Sequence, residues 1–238
     1  MFRTTIVLTW TVLSTVFFGI ISIFASFLDK TGNLPHRIAR IWASAILCVS
    51  GINVKVKGLK NIDPSKPYIY MANHQSNFDI PVLLAYMPLQ FRWLAKTELF
   101  KIPLFGLAMK RGGYIPIDRS DFRAAILSLK KAAETIRKGT SVVIFPEGTR
   151  STDGQIRDFK KGGFIMAIDS QVPIVPVTIH GTRQIMPRTT LRIRPNDVLV
   201  EIKKPIPTAN FTRRQKDKLM ALVRKAICES FDKHKAGP

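Results

Sequence analysis

The chain has 238 residues, with 37 Lys and Arg against 16 Asp and Glu for a formal net charge of +21. That length suits one α/β domain with an appendage, and the charge points to anionic partners: nucleic acid, anionic lipid, a phosphorylated carrier or an acidic protein. The two cysteines, Cys48 and Cys228, exclude a disulfide framework and agree with a reducing compartment, and without C-x-x-C or H-E-x-x-H the sequence offers no metal site.

From the amino end, Thr4 to Leu28 carries no charge and is rich in Ile, Val, Phe and Trp. As a helix rising 1.5 Å per residue, about 25 residues exceed the roughly 30 Å of bilayer hydrocarbon. The run is too long for a cleaved signal peptide, and Ala25-Ser26-Phe27 is a poor cleavage site. Only Arg3 precedes it whereas Lys30, Arg37 and Arg40 follow, a bias that puts the rest of the chain on the cytoplasmic side. This segment replaces nucleic acid with lipid as the expected anionic partner. Ile38 to Ile52 is a second apolar stretch, interrupted by Arg40 and too short to span; it reads as an interfacial helix, joined to the first by a turn through Gly32-Asn33-Leu34-Pro35. Residues 1–52 are therefore expected to anchor the chain, and residues 53–238 to form the α/β domain.

In that domain, apolar runs near Val54, Ile69, Trp93, Ile115, Val143, Val175 and Val198 read as strands. They alternate with helical patterns at Ile80 to Tyr86, Phe122 to Arg137 and Phe164 to Ile168, which predicts a mostly parallel sheet flanked by helices. The tail from Arg213 to Lys235 reads as an amphipathic helix packed on the domain with its charges outward.

Ligands of such sheets bind in the loops at the strands' carboxyl ends. The first such loop is Asn73-His74-Gln75-Ser76-Asn77-Phe78-Asp79, after the apolar run Pro67 to Ala72. His74 is a candidate general base and Asp79 its orienting acid. Residues five apart on a helix diverge by roughly 140°, so the two meet only if His74 lies on the loop before the helix. A competing reading is the capping box, with Ser76 as N-cap and Asp79 reaching back to its amide. The second loop, Pro146-Glu147-Gly148-Thr149-Arg150-Ser151, is either a plain turn or an anion site offering amides, a hydroxyl and a guanidinium. Gly112 to Arg119 repeats the pattern and delivers Arg119 to a strand end, although Asp118-Arg119 equally fits an exposed ion pair.

These residues carry a resemblance. Asn73 to Asp79 matches an NHxSxxD block; Lys96-Thr97-Glu98-Leu99, Pro103, Gly106 and Ile117-Asp118-Arg119 match a second; Phe145 to Ser151, continued by Phe159-Lys160-Lys161-Gly162, a third; and Val172 to Val177 a fourth. In this order they are similar to the glycerophospholipid acyltransferase family, specifically its bacterial 1-acyl-sn-glycerol-3-phosphate acyltransferases. The resemblance implies acyl transfer from acyl-coenzyme A or acyl-acyl carrier protein, as co-substrate without a cofactor, to the free hydroxyl of lysophosphatidic acid. Glycerol 3-phosphate or another lysolipid is the alternative acceptor, and a non-catalytic basic lipid-binding protein the alternative class. It implies His74 as base oriented by Asp79, and Arg119, Glu147, Gly148, Thr149 and Arg150 as substrate-binding, with Glu147 either pinning its loop, touching the glycerol or organising the arginines. No G-x-S-x-G elbow is present, which supports direct transfer. The resemblance further implies a two-helix motif dipping into one leaflet of the inner membrane at an anionic surface, with the catalytic domain on the cytoplasmic face. The apolar stretch Leu99 to Met109 reads either as a surface suited to an acyl chain or as core packing. Lys160 and Lys161 read as a solvated face, His180 as a structural loop residue, and His36 and His234 as surface residues.

Overall fold

A computed structural model describes residues 1–235. Two helices, α1 (Phe2–Leu28) and α2 (Asn33–Ser50), precede β1 (Val54–Lys57), β2 (Ile69–Ala72), α3 (Asp79–Tyr86), β3 (Arg92–Lys96), α4 (Phe105–Arg111), β4 (Ile115–Ile117) and α5 (Phe122–Arg137). There follow β5 (Val142–Ile144), α6 (Lys161–Ser170), β6 (Ile174–His180), a one-turn α7 (Thr182–Ile185), β7 (Val198–Ile202) and α8 (Lys216–Lys235). All of the expected strands and helices are present.

The strands form one sheet in the order β1-β7-β6-β2-β5-β3-β4, parallel throughout except for the antiparallel pair β6 and β7. The side-chain period of two sends Tyr70 to one face of β2 and Ile69 and Met71 to the other, and each face carries its own core. On one side Val7 of α1, Ala43 and Leu47 of α2, and Val82 and Leu83 of α3 cover Tyr70, Val143 and Val175. On the other, Ile136 of α5, Phe164 of α6 and Leu219, Val223 and Ile227 of α8 cover Ile69 and Met71. A strand covered on both faces needs a continuous apolar run, which is why β2 is buried along its whole length.

The amino-terminal pair departs from expectation in two places. Its turn is Asp29 to Gly32, and Pro35 lies inside the first turn of α2. That position tolerates proline because the first four amides of a helix have no intrahelical partner; Asp29 meanwhile accepts the Leu34 N–H at 2.6 Å and the Thr31 N–H at 2.8 Å. His36 is fully buried instead of solvated, edge-on to Phe91 at 4.6 Å and 3.3 Å from the Tyr114 hydroxyl. It is drawn inward because α2 packs onto α3 and the sheet, while Arg92 donates to the Thr31 carbonyl and the Asn33 side chain.

Helix α1 is inverted relative to a soluble helix. It buries the small polar residues Ser14, Ser22 and Ser26 and exposes Val12, Leu13, Phe17, Phe24 and Leu28. Ser14 and Ser26 satisfy their hydroxyls on carbonyls one turn back, at Thr11 and Ile23. Both ends of α1 touch the domain: near the start, Thr4 Oγ1 accepts the Ile193 N–H at 3.1 Å, and near the end the Arg111 guanidinium sits 5.1 Å over the Phe27 ring. The helix thus lies along the domain.

Candidate active site

Strands β2 and β5 are parallel neighbours, with Met71 opposite Ile144, so the loops that follow them emerge side by side. The Asn73 side chain seats the first loop by bonding both backbone groups of Ile179 on β6. The second loop returns through a Ser151 N–H to His74 carbonyl bond of 2.9 Å. Glu147 closes the junction: one carboxylate oxygen accepts the His74 N–H at 2.7 Å and the other the Arg157 N–H at 2.8 Å. Burial raises the Glu147 carboxyl pKa above its ordinary value, against the opposing pull of these two amides. Of the roles open to Glu147, pinning its own loop is the one this geometry displays. Glu147 is 1% exposed, and both of its carboxylate oxygens accept loop amides.

His74 and Asp79 meet. The ring Nδ1 lies 2.8 Å from Asp79 Oδ2, which also accepts the Gln75 and Ser76 amides at 2.7 and 2.9 Å. A carboxylate that only accepts requires a ring proton on Nδ1, so in the neutral imidazole Nε2 is the nitrogen that can accept a proton. Helix α3 begins at Asp79 itself, and only half of the expected capping box forms: Asp79 takes the Ser76 amide, while Ser76 Oγ accepts from the Phe78 amide and donates to the Met186 carbonyl at 2.7 Å. Phe145 stacks on the imidazole at 3.9 Å and 8°, and Trp93 lies behind Phe145, fixing the ring plane.

Cations gather at the mouth. Arg119 donates to the Gly148 carbonyl at 3.0 Å instead of pairing with Asp118, which accepts the Ser120 amide. Gly148 has φ +74°, a left-handed conformation that a side chain rarely adopts. Arg150 is half-buried; desolvation, then the neighbouring Arg188 guanidinium, lower its pKa from the ordinary value. Arg188 was not anticipated from the sequence: it follows α7, outside every matched block, and reaches back to donate to the Arg150 carbonyl at 2.9 Å.

Behind these groups lies a cavity of about 570 Å³. Its lining combines the polar His74, Lys96, Arg119, Thr149, Arg150 and Arg188 with the apolar Phe18, Trp42, Leu99, Phe105 and Met109. Several residues of the Leu99 to Met109 stretch therefore form cavity wall, and α1 and α2 supply the facing wall. His180 lies elsewhere, buried at the end of β6 against Glu201 and Phe231. Lys160 and Lys161 are exposed, as expected, with Lys161 paired to Asp217 at 3.4 Å. Among the described residues, no group of three or more His, Cys, Asp or Glu side chains is placed to hold a metal ion.

A family model described as Acyltransferase matches residues 53–180. The chain is 43% identical over 173 residues to the chloroplastic 1-acyl-sn-glycerol-3-phosphate acyltransferase BAT2 of Brassica napus, covering 72% of this chain and 50% of that protein. It thus spans about half the length of that relative. It is 32% identical over 196 residues to 1-acyl-sn-glycerol-3-phosphate acyltransferase alpha of Homo sapiens, covering 82% of this chain and 69% of that protein. The crystal structure of PlsC from Thermotoga maritima, a 1-acyl-sn-glycerophosphate acyltransferase, superposes with a TM-score of 0.86 at 28% identity, covering 99% of this chain and 95% of that one.

Proposed function

The chain belongs to the acyltransferase family, and on that premise we propose that it transfers a fatty acyl group from an acyl thioester to the sn-2 hydroxyl of 1-acyl-sn-glycerol 3-phosphate, giving phosphatidic acid. The observation that carries the reading is the 2.8 Å contact between His74 Nδ1 and Asp79 Oδ2 at the wall of a cavity lined by both cationic and apolar side chains. An alcohol is a poor nucleophile until its proton is removed. His74 Nε2 takes that proton, Asp79 stabilises the imidazolium, and the hydroxyl oxygen adds to the thioester carbonyl carbon. Collapse of the tetrahedral adduct breaks the carbon–sulfur bond, and the imidazolium proton passes to the departing thiolate, so that ester and free thiol leave with the base regenerated.

Arg119 and Arg150 hold the acceptor's phosphate through charge-assisted hydrogen bonds, with Gly148 and Thr149 shaping the loop between them. The donor, acyl-coenzyme A or acyl-acyl carrier protein, approaches the same cationic mouth, and the acyl chain lies along the cavity's apolar side chains. No cofactor takes part. The inverted α1, with Phe17 and Phe24 outward and both ends resting on the domain, supports a monotopic anchor in one leaflet of the inner membrane, on the anionic cytoplasmic face.

The test is one panel. Purified protein in detergent is offered labelled acyl-coenzyme A or acyl-acyl carrier protein with lysophosphatidic acid, glycerol 3-phosphate and neutral lysolipids, alongside His74→Ala. Product from lysophosphatidic acid that vanishes in the variant is the expected result. Absence of product with every acceptor and both donors would overturn the enzyme reading in favour of a lipid-binding protein.

A further inference from the structure

The loop Gly148-Thr149-Arg150 is gripped from both sides. Arg119, arriving from the end of β4, donates to the Gly148 carbonyl, and Arg188, arriving from beyond α7, donates to the Arg150 carbonyl. The second grip is a built one: Ser76 Oγ holds the Met186 carbonyl at 2.7 Å, and the Arg194 amide holds the Ile185 carbonyl at 2.9 Å, so the segment carrying Arg188 is fastened beside the His74 loop. Each grip uses one of the five N–H groups of a guanidinium. Among the described residues none of Arg119, Arg150 and Arg188 forms an ion pair, although Glu98 acts on Arg119 and Asp79 on Arg150 through space. With Lys96 on the same wall, the mouth concentrates more positive charge than its surroundings neutralise.

We propose that Arg188 is a binding residue for the acceptor's phosphate, and that it sets the preference for a phosphate monoester over the phosphodiester headgroups of other lysolipids. This rests on the acyltransferase reading above. A phosphate monoester carries about −1.5 to −2 charges at pH 7 and offers three terminal oxygens, enough for three guanidiniums. A phosphodiester carries a single charge and offers two such oxygens. It leaves the third cation unmatched beside like charges, with Arg150 half-buried and Arg119 and Arg188 at the exposed rim.

The test compares wild type with Arg188→Gln, Arg188→Ala and Arg188→Lys. Glutamine keeps an N–H for the Arg150 carbonyl and loses the charge, which separates anion binding from loop support. Arg188→Gln is expected to raise the KM for lysophosphatidic acid about ten- to a hundredfold, the range of one charge-assisted hydrogen bond, with kcat and the donor KM little changed. Discrimination against lysophosphatidylglycerol should fall with it, and lysine should restore part of the loss. Because the second phosphate pKa is near 6, the effect should shrink at about pH 5.5. A wild-type KM in Arg188→Gln, a matching loss of kcat on every acceptor, or a change confined to the donor would overturn the proposal. Calorimetric binding of glycerol 3-phosphate to wild type and Arg188→Gln supplies a readout without turnover: binding that depends on Arg188 in a protein that acylates nothing would uphold this inference while the enzyme reading fails, and binding indifferent to Arg188 would overturn it.

Discussion

Asp79 Oδ2 accepts the ring N–H of His74 at 2.8 Å although the two residues are five apart in sequence, because His74 stays on the loop and Asp79 opens the helix. The same oxygen takes two backbone amides, so the turn that holds the imidazole is built around the carboxylate that accepts its ring N–H.

His74→Ala is expected to lower turnover by about 10²- to 10⁴-fold, the usual contribution of a general base, with folding and membrane attachment retained. Asp79→Asn keeps the shape of the turn and removes the charge that stabilises the imidazolium, so it should lose about 10²-fold or more in kcat with little change in acceptor KM. Steady-state assays of both variants check this; near-normal turnover in either sinks its assigned role.

Glu147→Ala leaves the part-buried amides of His74 and Arg157 without acceptors. An unsatisfied buried group costs about 1–3 kcal/mol, so the variant should melt earlier and lose kcat together. Thermal unfolding and kinetics on the same preparation decide the matter. A substrate ligand would instead show an unchanged Tm and a raised acceptor KM.

Stability should fall as the pH drops from 6.5 toward 4. Burial, and then the neighbouring His234, push the His180 pKa from 6.5 down to about 4, with Lys203 acting in the same direction and Glu201 opposing. Between those values the unfolded chain binds a proton that the folded chain refuses, so the contribution present above 6.5 is lost on acidification. His180→Phe, which can keep the stack on Phe231, should flatten the dependence of Tm on pH over that window. Parallel curves for wild type and variant would remove His180 as the cause.

Replacing Phe17 and Phe24 with serine should release the protein from lipid vesicles in flotation while leaving its fold intact, since both rings point away from the domain. An Arg3→Cys change in a Cys48→Ala, Cys228→Ala background should be labelled by an impermeant reagent from the face that carries the domain, as expected of a helix whose first turn touches Ile193. Labelling from the opposite face would mean that α1 spans.

The linear order of residues was enough to locate every strand, the loop carrying His74 and Asp79, and the loop carrying Gly148 to Arg150. These are local matters: β-branched runs, helix periodicity, and polar residues where an apolar run stops. The length and composition of α1 were legible for the same reason, but its attitude to the domain was not, because that depends on serines buried against α2 and α4 rather than on mean hydropathy. Tertiary structure alone decided the rest. Setting β2 beside β5 gave Glu147 two amides to hold, packing α2 on the sheet drew His36 from the expected surface into the interior, and the turn after α7 brought Arg188 to a mouth that no motif assigned to it. Each depends on contacts between residues far apart in the chain, where the neighbours that determine burial and charge are set by the sheet order and leave no mark in local sequence.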